Sequence, residues 1–308
     1  MAKAARYHVN GGPEVLQVEE VPDPQPGPGE VVIEVAAAGI NPFDAKARTL
    51  TPAHVPMAPL PRTVASDVAG TVVSVGELAT YWDGTPVREL DEVAGSAEGS
   101  AATCARASVS QLVRVPGTVP AEIAGGLWTA GLTALALLKE APPEAGGRVL
   151  VGGASGAVGL VLAQLAVRRG ARVVGTASTR NFRFLRSLGV EPVEYGAGLA
   201  ERLRPFAPFS AVYDAQGKDA ILAGLELGTA PDRIVEIAYH EGVEELGIRG
   251  TGRGDRTAEN FAGLLDLIAN GALVLPVAAS FPLEQVQEAF RLLEGSHPPG
   301  KIVLLPRS

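Results

Sequence analysis

At 308 residues, with 46% hydrophobic and 19% charged residues, the chain is long enough for two domains of ordinary size and can fill their cores, so a globular protein is expected. Lys and Arg number 26 against 34 Asp and Glu, a net charge of −8, and the basic residues are scattered, which argues against nucleic acid as a partner. The single cysteine, Cys104, excludes an intrachain disulfide and any multi-cysteine metal site; with no neighbouring His or helix start to lower its pKa, it reads as a small buried or loop thiol.

The first residues, MAKAARYHVN, hold charges but no apolar core of a signal peptide, so a cytoplasmic protein is expected. PDPQPGPGE (Pro22 to Glu30) is a turn-rich connector, because its prolines fix φ and remove ladder donors. VVIEVAAAGI (Val31 to Ile40) and VAGTVVSVG (Val68 to Gly76) then read as strands of a β-rich first third. The uncharged run from Ile123 to Leu138 is predicted to be a buried helical region rather than a membrane span. A second uncharged run, Val149 to Val167, has Gly152, Gly153, Gly156 and Gly159 crowding its first half, and reads as strand, turn and helix. No transmembrane helix is predicted.

After about Pro120 short apolar strands alternate with helical stretches. VLVGG, ARVVGT, EPVEY, FSAVYDA, DRIVEIA and EELGIRG supply six plausible parallel strands, the pattern of a doubly wound sheet. A helix from about Ala157 to Arg169, stopped by Gly170, should pack on that sheet. From about Ala258 the tail reads as helix (NFAGLLDLIANG), strand (ALVLPV), helix (PLEQVQEAFRLLEG) and a final strand, KIVLLP.

The strongest local signal is VLVGGASGAVGLVLAQLA, with Gly153, Gly156 and Gly159 at GxxGxxG spacing between a strand and a helix. Glycines there let the backbone approach a pyrophosphate, while the following helix aims its free N–H groups at the negative charge. Alone the triplet is weak evidence; at the head of a six-strand α/β pattern it marks Gly153, Ala154, Ser155, Gly156, Ala157, Val158 and Gly159 as a dinucleotide phosphate loop. NAD sites usually end the second strand in a carboxylate, and this chain has none there. Instead Gly175, Ser178, Thr179 and Arg180 suit a 2′-phosphate, which favours NADP(H); the bland reading of Arg180 is a solvated residue at a helix start.

With these residues in view, the chain resembles the zinc-independent quinone-oxidoreductase-like branch of the medium-chain dehydrogenase/reductase superfamily. AAAGINPFDAKAR (Ala36 to Arg48), SDVAGTVVSVG (Ser66 to Gly76), GLTALALL (Gly131 to Leu138) and GKIVLLP (Gly300 to Pro306) carry the resemblance together with the glycine loop. It implies an α/β protein: a GroES-like β-rich catalytic domain from residues 1–119 and 256–308, and a Rossmann domain with a doubly wound, parallel six-stranded sheet from residues 120–255, the active site lying in their cleft. Zinc-dependent relatives place a Cys ligand where this sequence has Asn41 and a His ligand about where it has Ser66. Without thiolate or imidazole there, a tetrahedral site is not expected, and no metal ligands are assigned.

The resemblance also implies that Asn41 and Asp44 line the nicotinamide end of the cleft, with Asn41 donating to the substrate oxygen, that Thr133 lies near the carboxamide, and that Tyr195 neighbours the ribose phosphate. Bland alternatives stand beside these: Asn41-Pro42 is a good turn starter, and Thr133 sits in a predicted buried helix. Lys301 reads as a solvated charge. The tyrosine that enoyl-reductase relatives carry after the NPxD segment is missing from Thr49 to Thr63, leaving His54, another side chain or water to supply the proton. The expected activity is hydride transfer from NADPH to a quinone or an α,β-unsaturated carbonyl compound. Alternatives are a catalytically silent NADPH-binding sensor or scaffold, and a tailoring reductase of a secondary-metabolite pathway whose pocket is shaped by the stretch from Glu77 to Ser110. Relatives imply a homodimer, with EELGIRG as the edge strand.

Overall fold

The computed structural model describes residues 1–49, 59–251, 256–295 and 298–307. They fall into two compact units. The first takes Met1–Thr129, Thr257–Ala272 and Pro276–Ser308, and the second Ala130–Arg256 and Leu273–Leu275.

The chain starts with strands β1 (Ala2–Tyr7), β2 (Gln17–Val21) and β3 (Glu30–Ile40), then helix α1 (Pro42–Thr49) and strands β4 (Arg62–Thr63), β5 (Asp67–Val75), β6 (Glu92–Ser96), β7 (Cys104–Ser108) and β8 (Leu112–Arg114). Helix α2 (Ala121–Glu140) follows; it is long and apolar enough to cross a membrane, and 72% of its apolar window is buried inside the protein. Next come β9 (Arg148–Gly152), α3 (Ala157–Arg168), β10 (Arg172–Ala177), α4 (Phe182–Ser187), β11 (Val190–Glu194), α5 (Leu199–Leu203), β12 (Ala211–Asp214), α6 (Asp219–Glu226), β13 (Ile234–Glu236), α7 (Glu241–Leu246) and β14 (Arg249–Gly250). Helix α8 (Ala258–Ala269), β15 (Val277–Pro282), α9 (Val286–Gly295) and β16 (Lys301–Leu305) complete the order.

In the first unit β3 is the organising strand. It pairs antiparallel with β5 along most of its length, with β7 at its start and with β16 at its end, and two register shifts bend it. Such shifts re-aim side chains and let one strand serve several partners. Ile33, Val35, Ile40, Val68, Val72, Phe290 and Leu304 form part of the core against it. Gly39 pairs with Asp67 and Ile40 with Ile302, so the end of β3, the start of β5 and the start of β16 meet at one place. β1, β2 and β4 make a separate small sheet.

The second unit is a parallel sheet in the order β11-β10-β9-β12-β13-β14, with Leu150, Val174, Val212, Ile221 and Ile234 in its core. The chain leaves the central β9 towards β10 and β11 and returns to its other side with β12. The carboxyl ends of β9, β10 and β12 therefore surround a topological switch point, the position where open α/β sheets bind ligands.

Two expectations on strands are corrected. The first half of EELGIRG is helical, in α7, and only Arg249–Gly250 pairs, at the sheet edge; Gly247 at φ 66° ends the helix before the strand begins. ALVLPV is not a strand either: pairing starts at Val277, after Pro276, which has no N–H to give a ladder.

Candidate active site

Each unit carries one group of residues with chemistry. In the second, β9 runs into Gly153 at φ 70°, a conformation that glycine adopts at no steric cost. The Gly153 N–H donates to Thr176 Oγ1 at 2.9 Å and the Ala154 N–H to the Thr176 carbonyl at 2.9 Å, which pins the turn to β10. A Cβ on Gly159 would lie 2.2 Å from the Gly153 carbonyl oxygen, so the missing side chain lets α3 press against the turn. Gly156 caps α3 with no side-chain bond, and among the described residues the N–H groups of Ser155, Ala157 and Val158 meet no acceptor. An uncapped helix start with free N–H groups at a switch point is the cradle a dinucleotide diphosphate requires, and the residues present fit that group.

The structure brings Gly175 against this turn: a Cβ on it would come 2.5 Å from the Ala154 Cβ. Ser178 follows β10 half-buried, and Thr179 and Arg180 are exposed; Arg180 makes no ion pair among the described residues. Tyr195 follows β11 and lines a pocket of about 120 Å³ with Thr176, Asp214, Gln216 and Lys218. Of the residues expected around the ribose phosphate, Tyr195 alone lines that pocket, and Asp214 and Lys218 are additions. Asp214 Oδ2 accepts from the N–H groups of Gln216 and Gly217, while its buried Oδ1 has no partner among the described residues. Burial pushes this carboxyl up to about 7, with the like charges of Glu236 and Asp219 adding. Thr133, in the part of α2 that belongs to this unit, is buried, and its Oγ1 accepts from Arg256 at 3.3 Å.

In the first unit Asn41 sits between β3 and α1. Pro42 opens the helix, and the Asp44 carboxylate reaches back to accept from the Asn41 N–H at 2.7 Å, so the turn-starting reading of Asn41-Pro42 holds locally. Asp44 is 8% exposed. Burial, with the negative charge of Asp67 adding, pushes its carboxyl up to about 7; the Asn41 N–H, the charge of Lys301 and the Asn41 side chain pull the other way.

Lys301 corrects the sequence reading. It is 2% exposed, and its Nζ donates to the Ile40 carbonyl at 3.1 Å, Asn41 Oδ1 at 2.7 Å and Asp67 Oδ2 at 3.3 Å. Asp67 is fully buried, and its Oδ1 accepts from the N–H and hydroxyl of Thr129. Gly126 makes room for the lysine stem, since a Cβ there would come 3.2 Å from Lys301 Cγ. A buried ammonium needs such a shell of acceptors, and strand register supplies it from residues more than two hundred positions away. His54 lies outside the described residues.

Zinc does not fit this donor set. Amide, ammonium and carboxyl groups occupy the Asn41 surroundings, and among the described residues no three His, Cys, Asp or Glu side chains gather into a metal-binding group.

A GroES-like β unit and a dinucleotide-type parallel sheet define a two-part nucleotide-dependent dehydrogenase or reductase. Residues 27–138 match the alcohol dehydrogenase GroES-like domain, and residues 188–304 match the zinc-binding dehydrogenase family. The chain is 30% identical to a quinone oxidoreductase of Lama guanicoe, over 99% of this chain and 98% of the relative. It is 29% identical to a 2-haloacrylate reductase of Burkholderia sp, over the full length of both. Mycobacterial Rv1454c, solved in complex with NADPH, superposes with a TM-score of 0.86 at 29% identity, covering 99% of this chain and all of that one. The chain belongs to the medium-chain dehydrogenase/reductase superfamily, in its quinone oxidoreductase-like branch.

Proposed function

We propose that the chain is a zinc-independent, NADP(H)-dependent oxidoreductase that reduces a quinone or an α,β-unsaturated carbonyl compound. The observation that carries this reading is the uncapped start of α3 behind Gly153, beside a β10 that is followed by Ser178, Thr179 and Arg180 with no carboxylate. When bound, the dinucleotide supplies the hydride. In this reading residues 120–255 hold the cofactor, and residues 1–119 and 256–308 shape the substrate side. The N–H groups of Ser155, Ala157 and Val158 grip the diphosphate, Arg180 and Ser178 meet the 2′-phosphate, and Tyr195 flanks the ribose. Thr133 orients the carboxamide, and Asn41 and Asp44 face the substrate.

The relatives support the substrate class: one is named for quinones, and another for a 2-haloacrylate, whose carbon–carbon double bond is conjugated with a carboxylate. A homodimer joined through the edge strand β14 belongs to the same proposal; a monomer by light scattering at micromolar concentration would remove it. The activity is tested by mixing the protein with NADPH and a panel of small quinones and enones. Loss of the reduced-nicotinamide absorbance, faster than with NADH, is the expected result. Tight NADPH binding without turnover of any member would refute the reductase and leave a dinucleotide sensor.

A further inference from the structure

The first unit encloses two acids and one cation in a single cluster. Lys301 gives its three N–H donors to Ile40, Asn41 and Asp67, and none reaches Asp44. Asp67 therefore has the counter-ion, with two further donors from Thr129 on its other oxygen. Among the described residues Asp44 has the Asn41 N–H on one oxygen and a smaller pull from the Asn41 side chain, with no ammonium bonded to it, in a surrounding that excludes most water. Were both acids ionised, the cluster would hold a net buried charge of the kind proteins avoid; with one proton it is neutral. The distribution of donors decides which acid keeps that proton: Asp67 is solvated by the protein as an anion, and Asp44 is not.

The Asn41 amide links the two. Its Oδ1 is held by the ammonium, so the amide cannot flip, and its Nδ2 is buried with no hydrogen-bond partner among the described residues. Among the described residues the charged groups that act on Asp44 are Asp67 from β5 and Lys301 from β16; Arg48, on the same helix as Asp44, is paired with Glu294 of α9.

We infer that Asp44 is the proton donor of the reduction, and that Lys301 is a positioning residue that keeps Asp67 as the ionised partner and Asp44 as the protonated one. This rests on the reductase reading above. Once the substrate has accepted a hydride from the reduced nicotinamide, it carries an extra electron pair as an enolate or hydroquinone anion. The Asp44 O–H bond breaks, its electron pair stays on the carboxylate, and a new C–H or O–H bond forms on the product. Solvent water then reprotonates Asp44. A carboxyl held near neutrality by its surroundings is matched to that task.

The test uses the full chain with NADPH and an enone or quinone that it turns over. Asp44→Asn keeps an acceptor for the Asn41 N–H and is expected to lower kcat by about 10²-fold to 10⁴-fold, the usual size of a general-acid contribution, with NADPH affinity unchanged. Lys301→Met removes the charge that lowers the Asp44 pKa, so the alkaline limb of the kcat profile moves to higher pH. Asp67→Asn removes the charge that raises it, and the limb moves to lower pH. A purely structural role would reduce activity in both without displacing the limb in opposite directions. Should Lys301→Met fail to fold, the double variant Lys301→Met with Asp67→Asn keeps the interior neutral and is expected to place the limb between those of the single variants.

Carbon-13 NMR of the Asp44 carboxyl, assigned by its disappearance in Asp44→Asn, reads the same opposite shifts without substrate. It separates the two readings: absent turnover defeats the reductase reading and leaves standing only the protonated state of Asp44, whereas turnover with a carboxyl that titrates in the ordinary range defeats the assignment of Asp44 alone. Full turnover by Asp44→Asn, or a comparable loss in His54→Ala in its place, would also overturn the assignment of Asp44.

Discussion

Gly159→Ala is the most direct probe of the phosphate cradle. The added Cβ would stand 2.2 Å from the Gly153 carbonyl oxygen and 2.8 Å from the Ala154 Cα, both backbone atoms that have no flexible end to yield. To restore ordinary contact, α3 must withdraw from the turn by about 1 Å, and its free N–H groups retreat with it. Weakening one charge-assisted hydrogen bond to a phosphate costs roughly 1.5–3 kcal/mol, about tenfold to a hundredfold in the dissociation constant for NADPH. Fluorescence titration measures it, with circular dichroism to show that the variant is folded. Gly263→Ala is the matching control: it places the same methyl in an exposed turn of α8 where nothing lies within 4 Å. That variant should bind as the parent does and gain about 0.5–1 kcal/mol of stability. A folded Gly159→Ala protein with the parent affinity for NADPH would refute the reasoning.

Arg180→Ala should raise the Michaelis constant for NADPH by about tenfold, the scale of one lost charged contact, and change that for NADH little; steady-state kinetics with both cofactors decides it. Asp214 has a folded pKa of about 7, above its ordinary value of 3.8, so its contribution to stability is full below the lower figure and is lost as pH rises through the higher one. Asp214→Asn should accordingly stabilise the protein more at pH ~8 than at pH ~5, by at most about 3 kcal/mol, in urea denaturation. Arg48 is fully buried, bonded to the Gly11 carbonyl and Glu294 and stacked on Phe290. Arg48→Met should cost about 2–4 kcal/mol in the same assay, because it strands the Gly11 carbonyl and unpairs Glu294.

The parallel sheet and the glycine turn were legible in the sequence because their signals are local. Strand VLVGG and the helix after it sit side by side in the chain, and the spacing of Gly153, Gly156 and Gly159 is itself the geometry of the turn. Lys301 was illegible for the opposite reason. Nothing near it in sequence marks it as buried; its partners Asn41 and Asp67 arrive through the pairing of β16 and β5 on either side of β3. Only the apolar run that follows, Ile302 to Leu304, hinted that its strand is interior. Asp214 escaped notice similarly, since an acid ending a strand looks solvated until the loop from Gln216 to Ala220 folds over it. The misread strands, ALVLPV and EELGIRG, failed at Pro276 and Gly247, two residues whose backbone preferences outweighed the apolar pattern around them.

The pairing of β16 with β3 sets an order of assembly. Every strand of the parallel sheet precedes Ala258 in the chain, so that ladder can close without the residues that follow. The β-rich unit begins first and finishes last, because Lys301 to Leu305 must emerge before the flank of β3 is covered. Until then Asp67 lies without its ammonium, so the buried ion pair is among the last contacts the β-rich unit can complete.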